Sequence, residues 1–206
     1  MEIFWDYALI AIIAFAITGV LAAAPRTQSV LSLVALAVIS AVGGGTIRDL
    51  ILGVPVFWLQ HFQYIWFAIV GALIGFALIE LFKRWKNLLL YTDAVGVAVL
   101  GVAAANKSLG LGTHPGVAVM MGLLTAVGGG VLRDVLVDRP TLLVQRDLYV
   151  TPIVVGLIGY VAMLQLGVDR QTSEGLAILF IFGVRAAAIY WNLGVPDWLH
   201  VHHSWD

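Results

Sequence analysis

The stretch AVGGGTIRD, Ala41 to Asp49, sets three consecutive glycines inside a run of almost purely apolar residues. Each glycine costs a helix about 1 kcal/mol relative to alanine. The pattern returns as AVGGGVLRD, Ala126 to Asp134. Extending the comparison to Ala41–Gln60 against Ala126–Gln145 leaves nine of twenty positions identical, including Pro55 with Pro140. Ser40 and Thr125 match as hydroxyls just before each motif, and Tyr64 matches Tyr149 beyond it. The chain therefore carries two copies of one unit.

Working outward, the solvent of that unit follows from composition. Of 206 residues, 61% are hydrophobic and only 11% charged, with mean hydropathy +0.99. A water-soluble domain carries about a quarter charged residues; this chain is expected to lie in lipid. A net charge of -1 gives no reason to expect nucleic acid as a partner. With no cysteine there is no disulfide or thiolate chemistry. The opening MEIFWDYAL has no basic n-region and reads as a retained span.

A bilayer core of ~30 Å takes about 20 apolar helical residues. On that window the expected spans are Tyr7–Ala24, Val30–Leu52, Tyr64–Phe82, Leu88–Ala105, Val117–Val137, Val150–Val168 and Leu176–Leu193. The fold class is thus all-α, a polytopic membrane protein of seven transmembrane helices. Spans one to three (about 1–86) and four to six (about 87–170) form the two repeats. A seventh helix (about 174–194) and a short tail follow. Because each repeat has three spans, the second lies upside down relative to the first.

Arg26, Lys83, Arg84, Lys86, Arg139 and Arg146 fall in loops on one side, and only Lys107 and Arg170 on the other. The positive-inside rule then puts the N-terminus outside and the C-terminus in the cytoplasm. Trp58, Trp66, Trp85, Trp191 and Trp198 sit near span ends, as interfacial anchors.

Gly43, Gly44 and Gly45 lie in span two, and Gly128, Gly129 and Gly130 in span five. Two helices broken there would meet near the midplane, and their freed backbone groups would face a water-filled path. Close helix packing is the other use of intramembrane glycine. A contiguous triplet puts most of its residues off any one packing face, and its duplication favours a pore or site. Ser40 and Thr125 would line the path or bond back to their own helices.

Arg48 with Asp49, and Arg133 with Asp134, follow the triplets. Intramembrane charges of this kind mark a pathway. Neighbouring residues diverge by about 100° on a helix, so each charge is expected to pair with another span. Asp6 and Asp93 begin spans one and four and could draw cations into vestibules, or cap helices. Glu80 is expected to pair with Lys83 or Arg84, and Arg185 to snorkel to the interface. His200, His202 and His203 in the tail could ligate a transition metal, but no metal or cofactor is expected of so exposed a segment. No phosphate loop, metalloprotease helix, nucleophile elbow or catalytic carboxylate pair is present, so an enzyme is not expected.

Two three-span units, each with a GGG triplet followed by Arg-Asp, and a lone last span resemble the trimeric intracellular cation (TRIC) channel family over essentially the whole chain. The likeness is to its short prokaryotic members. It implies a homotrimer in an inner (plasma) membrane, in contact with lipids. Each protomer would hold an hourglass pore for potassium and sodium ions, lined by kinked helices two and five. On the reading of the charges above, Arg48 with Asp49 and Arg133 with Asp134 would guard that path as ion pairs that open and close. The animal members' lysine-containing motif is replaced by Gly43–Gly45 and Arg48, so their lipid and calcium regulation does not carry over. The rival is a carrier for a small amino acid such as glycine, since helix breaks offer donors to a carboxylate and acceptors to an ammonium. A non-conducting scaffold leaves the duplicated triplets unexplained.

Overall fold

A computed structural model describes residues 2–27, 29–85, 87–143 and 148–194, with side chains from residue 8 onward. Among them run nine helices: α1 (Glu2–Ala23), α2 (Val30–Ile51), α3 (Phe57–Gln60), α4 (Gln63–Ala77), α5 (Ile79–Arg84), α6 (Leu88–Gly110), α7 (Pro115–Leu136), α8 (Val150–Gln165) and α9 (Arg170–Trp191). The protein is an all-helical membrane protein. Helices α2, α6, α7 and α9 are long and apolar enough to cross a bilayer, and Ala8–Ala23, α4 and α8 are shorter apolar helices. Outward-facing Leu31, Trp66, Leu73, Phe76, Leu179 and Trp191 are exposed, an apolar surface that suits lipid. The side chain of Asp6, the loop charges Lys86 and Arg146, and Trp198, His200, His202 and His203 lie outside the described residues.

Local chemistry sets the helix ends. Ser29 Oγ accepts from Ser32 N–H at the start of α2, and Asp169 Oδ1 accepts from Thr172 N–H at the start of α9. Pro115 opens α7, where its missing N–H costs nothing. The two repeats end their glycine helices alike. Leu52 and Val137 N–H donate to the carbonyls of Arg48 and Arg133, and Val54 and Arg139 N–H to those of Asp49 and Asp134. The chain then turns through Gly53 (φ 65°) and Asp138 (φ 50°), where the left-handed backbone suits glycine and is tolerated by aspartate.

Three expectations are corrected. Span three is divided at Leu78, whose N–H is shared between Ile74 and Gly75 carbonyls, a tightened turn that ends α4 and begins α5. Helix α6 runs on to Gly110, because Asn106, Lys107 and Ser108 find partners within the protein instead of water. Helix α9 begins at Arg170, where the Asp169 cap starts it well before the apolar stretch. The four-residue α3, unanticipated, is pinned by Asp49 Oδ2, which accepts Phe57 N–H, and by Trp58 Nε1 donating to Thr46 Oγ1.

Packing repeats as well. Helix α1 packs on α2 and α4, and α6 packs on α7 and α8; the two sets join through α1 with α6 and α2 with α7. Helix α9 is laid against α6 and α8. Arg26 Nη2 donates to the Asp138 carbonyl at 2.8 Å, so the loops after α1 and α7 share one face of the molecule.

Candidate functional site: the glycine crossing and its two charge clusters

Helices α2 and α7 are helical without interruption through both triplets. The expected breaks, with freed backbone groups, are therefore not present. What the glycines do is admit another helix. A Cβ at Gly44 would overlap the Thr125 carbonyl oxygen, and one at Gly129 the Ser40 carbonyl oxygen. Pairing 44 with 125 and 129 with 40 makes the crossing antiparallel. Gly128 approaches the Gly44 backbone itself, with 3.3 Å from a built Cβ to the Gly44 Cα. Helix–helix packing, the disfavoured use, accounts for this central part of each triplet.

The flanking glycines accept side chains. A Cβ at Gly43 would stand 2.5 Å from Leu132 Cδ1, and one at Gly45 2.7 Å from Phe57 Cε1. Gly130 has room; its nearest neighbours are Arg133, Asp93 and Tyr149 at 3.5–3.7 Å. Thr125 Oγ1 donates back to the Met121 carbonyl at 2.7 Å. Ser40 is buried, and its hydroxyl has no hydrogen-bond partner among the described residues.

Beyond the crossing on one side lies the first charge cluster. Asp49 Oδ1 accepts from Arg48 Nε at 2.8 Å and from Lys107 Nζ at 2.7 Å, while Oδ2 takes Phe57 N–H at 2.9 Å. Arg48 Nη2 also lies 2.8 Å from Oδ1. The guanidinium sits 5.9 Å from the Phe57 ring centroid. A cavity of about 350 Å³ opens beside this cluster, lined by Arg48, Lys107, Gln60, His61, Tyr64 and Thr125 among others, and reaching Gly45 at the crossing.

The second cluster, at the far end of α7, is sealed. Arg133 Nε and Nη2 clasp Asp134 at 2.9 and 3.2 Å, and Nη1 donates to Asp93 Oδ1 at 3.2 Å. Asp134 Oδ2 accepts Leu142 N–H at 3.3 Å, eight residues downstream, as Asp49 accepts Phe57 N–H in the first repeat. Arg185 of α9 reaches within 3.8 Å of Asp93 Oδ2, donates to the Leu148 carbonyl at 3.4 Å and stacks 4.3 Å from the Tyr149 centroid. Two arginines and two aspartates, all at most 1% exposed, neutralise one another.

Several expectations meet these facts. Both arginines pair with their sequence neighbour, because side chains this long bend back across the 100° between them. Arg133 also reaches Asp93 of α6 and Asp49 takes Lys107 of α6, while Arg48 meets Asp49 and the Phe57 ring rather than a charge on another span. Asp93 is neither a vestibule nor a cap: it lies inside the second turn of α6, fully buried under Arg133. Arg185 does not snorkel; a buried carboxylate and a ring face offer it better partners than the interface. Glu80 and Lys83 pair at 2.6 Å, as expected. Lys107, read as a loop charge, belongs to the first cluster. The available hint was its position four residues after Ala103, still in phase with the apolar stretch. Asn106 Nδ2 donates to Glu174 at 2.5 Å, a second tie of α6 to α9 that no motif announced.

Comparison with known proteins gives a consistent result. The family model described as "Glycine transporter" matches twice, at residues 7–80 and 90–165, one match per repeat. The chain is 35% identical over 185 residues to the inner membrane protein YadS of Escherichia coli K12, covering 88% of this chain and 89% of that one. It is 32% identical over 203 residues to the membrane protein YvgT of Bacillus subtilis, covering 94% and 96%. Among solved structures it superposes on a TRIC trimeric intracellular cation channel orthologue from Rhodobacter sphaeroides with TM-score 0.89, at 32% identity, over 94% of this chain and 100% of that one. A second TRIC cation channel gives TM-score 0.83 at 29% identity, over 97% and 98%. These solved neighbours are ion channels, not enzymes.

Proposed function

We propose, from the premise that this chain belongs to the family of the "Glycine transporter" model and has the TRIC channel fold, that it conducts monovalent cations, potassium and sodium, across an inner membrane. The observation that carries this reading is the α2–α7 crossing, flanked at its two ends by the charge clusters and entered from one side by the cavity that stops at Gly45 and Thr125. An hourglass path narrowest at Gly43–Gly45 and Gly128–Gly130 fits that arrangement, with one such path in each protomer of a homotrimer. Helices α1, α2, α4 with α5, α6, α7, α8 and α9 are its seven spans. Residues 1–86 and 87–170 are its inverted repeats, and lipid covers its apolar exterior. The antiparallel crossing and the shared hydrogen bonds after α2 and α7 support the inversion. The Arg26–Asp138 contact supports a common, cytoplasmic side for those basic loops.

In this conformation the path is shut: Leu132 lies over Gly43, Phe57 over Gly45, and backbone fills the space at Gly44 and Gly129. Opening requires those side chains to swing and the helices to part. Arg48 and Arg133 face cations with positive charge, which Asp49 and Asp134 beside them offset in this conformation. Single-channel recording of purified protein in a planar bilayer under a KCl gradient tests the reading. Discrete steps reversing near the potassium potential are expected. Silence in a folded, inserted preparation, together with saturable glycine uptake into vesicles, replaces the channel with the carrier.

A further inference from the structure

The two clusters are related by the repeat but are not equivalent, and the difference concerns ligand binding. In the sealed cluster two cations meet two carboxylates among the described residues, and all four are at most 1% exposed. In the open cluster Arg48 and Lys107 share one described carboxylate, Asp49. Oδ1 of that carboxylate takes both Arg48 and Lys107, and Oδ2 takes the Phe57 amide. A guanidinium has five N–H groups and an ammonium three. Only part of that capacity is directed at Asp49, and both side chains line the 350 Å³ cavity, as does the Gln60 amide. Arg48 is 7% exposed, so its charge is held in a poorly solvated place where an anionic partner gains most. Asp49 itself does not line the space.

We propose that this cavity binds a small carboxylate, held by Arg48 and Lys107, with Gln60 as a further donor. A guanidinium and an ammonium side by side match the two oxygens of one carboxylate. The volume of about 350 Å³ admits a molecule of a few heavy atoms with water. The carboxylate can come from a simple organic acid or from an amino acid. The inference concerns binding and is read without current, so it stands or falls separately from conduction.

The test is thermal unfolding of the purified protein in detergent micelles while acetate replaces chloride at constant ionic strength, with glycine added in a separate series. A saturable rise in Tm with acetate, glycine or both supports the site. Acetate alone identifies a simple acid as the ligand, and glycine alone an amino acid. Lys107→Gln is expected to weaken the half-saturating concentration about tenfold or more. Should its altered Tm obscure that, the charge-balanced double variant Arg48→Gln/Asp49→Asn, which removes one charge of each sign and leaves a single acceptor oxygen at position 49, is expected to lose saturation. No rise with either ligand, a linear rise without saturation, or an unchanged response in both variants overturns the proposal.

Discussion

Gly44 and Gly129 each lie against the carbonyl oxygen of the residue four positions before the other: Gly44 against Thr125, Gly129 against Ser40. One turn of helix separates each glycine from the carbonyl that its partner needs. The contact is therefore reciprocal, and neither side can yield without moving backbone.

Alanine at Gly44 or Gly129 should destabilise the protein by about 1–3 kcal/mol, the usual cost of overpacking where only backbone can give way. Alanine at Gly130, whose nearest neighbours stand at 3.5 Å or more, should be neutral or gain up to ~1 kcal/mol of helix propensity. Unfolding midpoints in micelles check this. Equal losses at Gly44 and Gly130 would mean that contact is not what selects glycine.

Arg133→Gln should cost far more than Arg48→Gln. The first change leaves Asp93 and Asp134 buried with Arg185, at 3.8 Å, as the one cation facing them among the described residues, a loss of about 3–5 kcal/mol for an uncompensated buried charge. The second leaves Asp49 with Lys107 at 2.7 Å and a cavity alongside, so less than half that loss is expected. Denaturant titrations of the pair of variants give the comparison directly.

Arg185→Met removes a guanidinium stacked at 4.3 Å on Tyr149. A desolvated cation–π contact is worth about 2 kcal/mol, and a similar fall in stability is expected. Lysine should restore only part of it, since an ammonium has no planar face to stack. A side chain reaching for the interface would show no loss, and full rescue by lysine would contradict the stacked geometry.

Asp169 caps α9, and its hydrogen bonds from Thr172 hold the carboxyl below its ordinary 3.8. A folded-state value lower than the unfolded one adds stability that is present above the unfolded value and fades as pH falls through the folded one. Asp169→Asn keeps a capping acceptor but cannot titrate. Its Tm should therefore fall less steeply than the parent's below about pH 4. Parallel slopes in the two proteins would remove Asp169 from the acid limb.

Voltage bears on the channel reading. A charge carried across the full membrane field is worth ~2.3 kcal/mol per 100 mV. If Arg48 and Arg133 move when the path opens, Arg48→Ala and Arg133→Ala should each flatten the dependence of open probability on voltage. Curves superposable on the parent's would leave the arginines as structural charges alone.

Much of this was legible in the chain. The repeat showed because identical residues at a fixed offset survive any fold, and Arg48, Asp49, Arg133 and Asp134 stood out because a charge in an apolar run is costly. The positions of α2 and α7 followed from their apolar length alone. Lys107, Arg185 and Tyr149 were not legible as site residues, since each is recruited by packing between separate segments and its own neighbourhood in sequence reads as loop or interface. The end of α6 is hidden for the same reason, since Glu174 and Asp49 on other helices hold Asn106 and Lys107; the start of α9 is hidden because its Asp169 cap lies well ahead of the apolar stretch.

By itself, then, the sequence determined the solvent, the helical class, the duplication and the four central charges, because composition and spacing are properties of the chain. Only the tertiary structure decided what the glycines are for. A glycine within an apolar run signals either a break or a close approach, and the two differ only by whether another backbone arrives within contact distance. It also decided that one charge cluster is sealed and the other open. That depends on where α9 lays Arg185 and on the space left beside Lys107, which are matters of packing between segments far apart in the chain.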